Sequence, residues 1–179
     1  MQTSSRLGLA AATVLAFGPL ANGGLAMGPI QAIAETAHYK LELDIGDSTT
    51  MYSKADAQRL KPTSGEIMVS GEMTGNMPAM QGMASSGSMA SASSEQHLEL
   101  HVLSKATGKV VQGAKVTIVA YGPTATTPIV VPIAVMYGVV QGEADWHYGN
   151  NIQLAPGPYV VQVTANGEAA QFDITVPAM

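Results

Sequence analysis

Strict alternation of apolar and polar residues over several short runs is the feature that most narrows the folds open to this chain. In Tyr39-Lys40-Leu41-Glu42-Leu43-Asp44-Ile45 every second side chain is apolar. That suits a strand with one face buried and not a helix, whose apolar period is about 3.6. The same period of two runs through 115–121, 159–164 and 171–176. Turn-forming residues separate the runs, at 105–109, Gln112-Gly113, Pro156-Gly157-Pro158 and Asn166-Gly167. Asn-Gly between two alternating runs is a strong hairpin signal, because both residues tolerate the positive φ of a tight turn. Only 53–60 reads as helix. The expectation is an all-β fold, an immunoglobulin-like antiparallel β-sandwich of about seven strands, without the cysteine pair of antibody domains.

The first residues point to export. Arg6 precedes an apolar run from Leu7 to about Ala21, which is too short to span a bilayer and is flanked like the core of a secretory signal. Gly24-Leu25-Ala26 and Ala32-Ile33-Ala34 both offer small residues for cleavage, so the mature chain is expected to begin near Met27 or, preferably, at Glu35. The expected organisation is a signal peptide over 1–34, N-terminal strands over 35–70, a methionine-rich loop over 71–94 and the main sandwich over 95–179. The apolar stretch from Ile129 to Val140 is interrupted by Pro132 and Gly138 and falls short of a membrane helix. A periplasmic or secreted location follows as the expectation. With Arg6 removed, 7 basic residues face 13 acidic ones, which argues against a nucleic-acid surface and favours cations as partners. The chain has no cysteine, so an exported domain of this size relies on packing or a bound metal rather than on disulfides.

Between Gly71 and Ser94 there is no Val, Leu, Ile, Phe, Tyr or Trp, yet Met73, Met77, Met80, Met83 and Met89 all occur. The spacing would stripe one face of a helix, but Gly75, Pro78 and Gly82 oppose helix formation, and a disordered loop is expected instead. Thioether sulfur is soft, so the tract is read as a capture site for Cu(I). A biased linker and an oxidant sink are the alternatives.

A second group of ligand types lies at His97-Leu98-Glu99-Leu100-His101. On a strand, His97, Glu99 and His101 share one face and the leucines the other. Adjacent same-face residues stand roughly 6.6 Å apart, close enough to share an ion, whereas His97 and His101, at roughly 13 Å, do not converge easily. A site here needs one adjacent pair and a contribution from another strand, and a solvated strand face is the plain alternative. His147, beside Trp146 and after the acids Glu143 and Asp145, and Met136, in an apolar segment, are the candidates for that contribution. Core packing for Met136 and a structural role for His147 remain open alternatives. Asp145 and Glu143 are placed to orient the imidazole or attract a second cation, or to be solvated loop acids. Histidine, carboxylate and thioether without cysteine form a ligand vocabulary suited to copper, and secondarily to iron.

Pro132-Ile133-Ala134-Val135-Met136, an acidic spacer, and His147-Tyr148-Gly149-Asn150-Asn151-Ile152 together resemble the signature of periplasmic iron-transport proteins, and His97-x-Glu99 is similar to that family's His-x-Glu. The resemblance covers roughly 95–177. It implies an immunoglobulin-like sandwich, often dimeric, that binds copper and works in iron uptake beside an inner-membrane permease. It implies copper ligation by His97, Glu99, Met136 and His147; with no later histidine in the chain, either His101, His38 or a loop methionine completes the shell or the site is three-coordinate and open. The chain departs from the pattern in a longer interval between Met136 and His147 and in having no histidine after His147. No hydrolase motif is present and no enzyme is expected, with redox chemistry at an open metal, such as oxidation of one metal by another, as the alternative. Three functions stay open: a periplasmic copper-binding protein of iron or copper uptake, a copper chaperone or resistance protein, and a metal-free accessory module.

Overall fold

The alternating runs become two stacked sheets. The computed structural model of the chain describes residues 30–74, 95–123 and 127–178. Its strands are β1 (Ile30–Glu35), β2 (Tyr39–Asp47), β3 (Met51–Ser53), β4 (Glu66–Gly71), β5 (Glu95–Ser104), β6 (Val116–Tyr121), β7 (Ile129–Val130), β8 (Ala134–Gly138), β9 (His147–Gln153), β10 (Gly157–Ala165) and β11 (Glu168–Val176). One sheet has seven strands in the order β1-β2-β5-β9-β8-β4-β3, and the other four in the order β11-β10-β6-β7. Pairing is antiparallel except between β3 and β4. The all-β sandwich read from the alternation is the observed architecture. The strands outnumber the seven expected by four: β1 falls almost wholly within the stretch read as a signal peptide, β3 and β7 are only three and two residues long, and β4 opens Glu66-Ile67-Met68-Val69 without alternation.

Leu41, Leu43, Ile45, Leu98, Leu100 and Val102 of the larger sheet meet Ile118, Ala120, Val161, Val163, Phe172 and Ile174 of the smaller in one core. Asn166 and Gly167 turn β10 into β11 with φ of 49° and 85°, the left-handed pair that a two-residue hairpin needs. The one α-helix among the described residues, α1 (Lys54–Leu60), starts at Ser53, whose hydroxyl accepts from the Asp56 amide, and ends at left-handed Lys61.

The larger sheet is rolled. In a flat sheet β2 and β3 would lie five strand spacings, about 24 Å, apart. The connection from Asp47 to Met51 spans at most about 14 Å. The sheet therefore curls about the face turned away from the core. The connection crosses that face: Thr49 N–H donates to Asn151 Oδ1 and Thr49 O accepts from Asn151 Nδ2, while Thr50 O accepts from the Glu66 amide. Strands β4 and β5 are not neighbours, yet their side chains meet across this concave face.

β1 begins at Ile30 and pairs with β2 along its whole length, burying Ala34. Of the two candidate mature starts, the one near Met27 leaves β1 whole and the one at Glu35 would remove all but its last residue. No helix among the described residues is long and apolar enough to cross a membrane.

Candidate metal centre

The concave face carries the ligand types. On β5, Leu98, Leu100 and Val102 point into the core, so His97, Glu99 and His101 point the other way, as the period of two requires. Opposite them on β2 stand Gly46, Asp44 and Glu42. On β9, His97 faces Asn151 and Glu99 faces Gly149. One strand further on, Met136 of β8 faces His147, and beyond it Met68 of β4 faces Met136.

Rolling brings Glu66, His97, Glu99 and His147 together, with one ligand atom from each lying within 4.8 Å of the others. His147 Nε2 is 3.5 Å from Glu66 Oε2, and His97 Nε2 is 3.6 Å from Glu99 Oε1. His147, His97 and Glu66 are only 0%, 2% and 8% exposed. A second group, Glu99, His101, Asp145 and His147, shares two members with the first and is more open to solvent. His97 and His101 fall in different groups, as their separation along the strand dictates.

Each buried imidazole is oriented through its other nitrogen. His97 Nδ1 lies 2.8 Å from Asn151 Oδ1, and the Asn151 amide nitrogen already donates to Thr49 O, so its oxygen accepts and His97 carries its proton on Nδ1. His147 Nδ1 lies 2.7 Å from the Asp145 carbonyl oxygen, which can only accept. Both Nε2 lone pairs are thereby turned toward the quartet. His97 Nε2, His147 Nε2 and Glu66 Oε2 are all buried without a hydrogen-bond partner. Leaving such groups unmet costs about 1–3 kcal/mol each. Fixed imidazole tautomers with bare inward lone pairs, beside carboxyl oxygens, are the arrangement that outer partners impose on metal ligands. The donor set fits a first-row divalent cation.

The electrostatics agree. Burial pushes Glu66 up to about 8 and Glu99 up to about 7, with the charge of Asp145 adding to both and that of Glu99 adding to Glu66. Burial drives His147 down to about 4 and also lowers His97. Near neutral pH the quartet thus holds little net charge and sheds protons when a cation enters. His101 behaves differently. Burial opposes its charge, but the Asp145 hydrogen bond at 3.1 Å and the charges of Asp145, Glu99 and Asp44 raise it overall. Burial would raise Asp145, yet its contacts with His101, His147 and the Gly138 amide hold it low.

The rest of the β9 motif is scaffolding. Tyr148 is buried in the core, where its hydroxyl donates to Val111 O and accepts from the Ala114 amide. A side chain at Gly149 would put its Cβ 1.7 Å from Leu98 O, so only glycine lets β5 approach β9. Asn150, fully buried, donates to Glu72 O and Pro132 O and accepts from the Thr74 and Asn151 amides.

Of the residues expected from sequence, His97, Glu99 and His147 meet in the first group, and His101 joins Glu99 and His147 in the second. Met136 stands across from His147, sealed in a cluster with Met51 and Ala134 against which Met68 and Met73 pack. Met77, Met80, Met83 and Met89 lie outside the described residues, as does most of the 71–94 stretch expected to be a disordered loop. His38 pairs with Glu168, away from both groups. Sequence reasoning missed Glu66. The only local sign is a carboxylate opening a run that is otherwise apolar, Glu66-Ile67-Met68-Val69. Asp145 orients His147 as its position suggested, though through its backbone carbonyl, while its carboxylate engages His101 and the Gly138 amide.

No protein family, curated protein or solved structure matches the chain.

Proposed function

We propose that this is an exported copper-binding protein that holds one Cu(II) ion between Glu66, His97, Glu99 and His147 and serves iron or copper uptake beside a membrane permease. The observation that carries this reading is the trio of buried, unpartnered ligand atoms, His97 Nε2, His147 Nε2 and Glu66 Oε2, converging with Glu99. A fold retains such groups against their cost to stability when a ligand satisfies them. Two imidazoles and two carboxylates accept several divalent ions, and the order of intrinsic affinities places Cu(II) first. The sulfur-rich neighbourhood of Met136 favours the same element. A role in uptake rests on the resemblance to periplasmic iron-transport proteins, whose implied ligands include three of the four quartet residues. Export rests on Arg6 and the apolar run after it, with a mature start near Met27 compatible with an intact β1. A copper chaperone or resistance role is the second reading, favoured by the methionine content of 71–94.

The test is a Cu(II) titration with electron paramagnetic resonance of the parent and of His147→Ala. Losing a ligand should weaken binding by more than the roughly 100-fold that loss of an outer partner alone can cost. The parent should also be stabilised by roughly 2.7 kcal/mol at a free copper concentration of 100 times the dissociation constant. An unchanged spectrum and affinity in His147→Ala would rule the quartet out.

A further inference from the structure

The four methionines that fall among the described residues, Met51, Met68, Met73 and Met136, all occupy one place. They pack together around Ala134. The far larger core between the sheets is built from leucine, isoleucine, valine, alanine, tyrosine and phenylalanine and contains no methionine. Methionine used to fill gaps would be expected wherever side chains fit poorly, and most such places lie in the larger core. Its confinement to the smaller cluster calls for a reason in the chemistry of sulfur.

A second observation concerns Met73, which lies outside any strand. The buried Asn150 side chain donates to Glu72 O at 2.6 Å and accepts from the Thr74 amide at 2.9 Å, and the Thr74 hydroxyl donates to Asn151 O at 2.6 Å. Both peptide neighbours of Met73 are thus fixed to β9, and its side chain is held in the cluster. Met51 and Met136 are sealed from solvent, whereas Met68 and Met73 are only partly buried, so the cluster opens on one side. It borders the quartet along two registers, Met51 beside Glu66 and Met136 beside His147.

We propose that Met51, Met68, Met73 and Met136 form a thioether site for Cu(I), distinct from the His and Glu quartet and sharing a border with it. Neutral sulfur donors in a largely desolvated place favour a soft monovalent ion, because less charge has to leave water than for a divalent one. Met68 and Met73 give access, and Met51 and Met136 form the closed end. The chain would then offer copper a hard site and a soft site side by side, suited to its two oxidation states. The proposal rests on the methionine packing and not on the quartet, so either can fail alone.

The experiment uses the full chain with Met77, Met80, Met83 and Met89 changed to leucine, which removes the other thioethers of the 71–94 tract. Anaerobic titration with Cu(I) against a competing chelator should reveal binding, and X-ray absorption should show sulfur neighbours. Adding Met51→Leu and Met68→Leu keeps the apolar volume and should weaken Cu(I) binding by more than about 100-fold while Cu(II) binding stays as before. His147→Ala in the same background should keep Cu(I). Equal Cu(I) affinity with and without Met51 and Met68, or bound Cu(I) surrounded only by nitrogen and oxygen, would overturn the site. A measurement without core substitutions guards against loss of fold: in the parent chain with labelled methionine methyl groups, Ag(I), a closed-shell stand-in for Cu(I), should shift the resonances of Met51, Met68, Met73 and Met136. Four unshifted resonances would also overturn it.

Discussion

Strand β5 presents two regions that share one backbone and differ in everything else. Leu98, Leu100 and Val102 are fully buried against the smaller sheet, while His97, Glu99 and His101, interleaved with them, face the rolled-in side among carboxylates and a further imidazole. The first face stabilises by removing apolar surface from water. The second collects groups that oppose folding, with a carboxyl raised to about 8 and two unpartnered imidazole nitrogens. Because a strand alternates, neither face has to compromise the other, and a metal site can be built on the back of a hydrophobic core.

That division can be broken most severely from the apolar side. Leu100→Ala should cost about 2–5 kcal/mol in chemical denaturation. The folded protein should still take up the parent's Cu(II) stoichiometry, and a proportionate loss of copper affinity would show that the faces are not separate. A smaller effect is expected from Asn151→Ala, which frees His97 Nδ1 and leaves the ligand nitrogen in place. Affinity for Cu(II) should fall by roughly 10- to 100-fold. Thermal stability should also drop, because Asn151 anchors Thr49, and a copper affinity equal to the parent's would mean that the imidazole needs no such support.

The mildest test uses pH on the metal-free protein. Glu66 is raised from 4.5 to about 8, so its contribution to stability is fully present below 4.5 and is lost as pH rises through 8. His147, lowered from 6.5 to about 4, contributes fully above 6.5 and loses that contribution as pH falls toward 4. Between pH 6.5 and 8 the carboxyl effect therefore stands apart from that of His147, and stability should decline. Glu99, raised to about 7, and His101, also raised, add to the decline, so Glu66→Gln should lessen it without removing it, as read from denaturation midpoints at several pH values. Saturating Cu(II) should reverse its sign, since the ion competes with protons for the same atoms. An equally steep decline in Glu66→Gln would place its origin elsewhere.

Much of this was legible from local pattern. The alternation at 39–45 located β2 and its buried face, Asn166-Gly167 located the β10–β11 turn, and Ser53 began the short helix. The opposed faces of β5 followed from the period of two alone. What pattern could not supply was which strands become neighbours. Glu66 precedes His97 by many residues and carries no motif; it shares a face with His147 through the pairing of β4 with β8 and of β8 with β9, and it meets His97 and Glu99 across the rolled sheet. The grouping of Met51 and Met68 with Met136 has the same long-range origin. Asn150 and Asn151, read as a continuation of a motif, do separate jobs that depend on the segments they touch, at 72–74 and at Thr49.

The attachment of Thr74 beside Asn150 and Asn151 has a consequence for how this protein can change over generations. Residues 75–94 depart from that point and the chain rejoins the sheet at Glu95, which pairs with Gln153 of the same strand β9. Departure and return share one address. Doubling the number of residues between ends held this close costs only about 0.6 kcal/mol of closure entropy. A change in the number of residues between Thr74 and Glu95 can thus leave the register of β5 on β9 where it is. On the proposed Cu(I) reading, the number of thioethers becomes a dosage that mutation can adjust, while the residues that hold the sandwich together stay under a separate constraint.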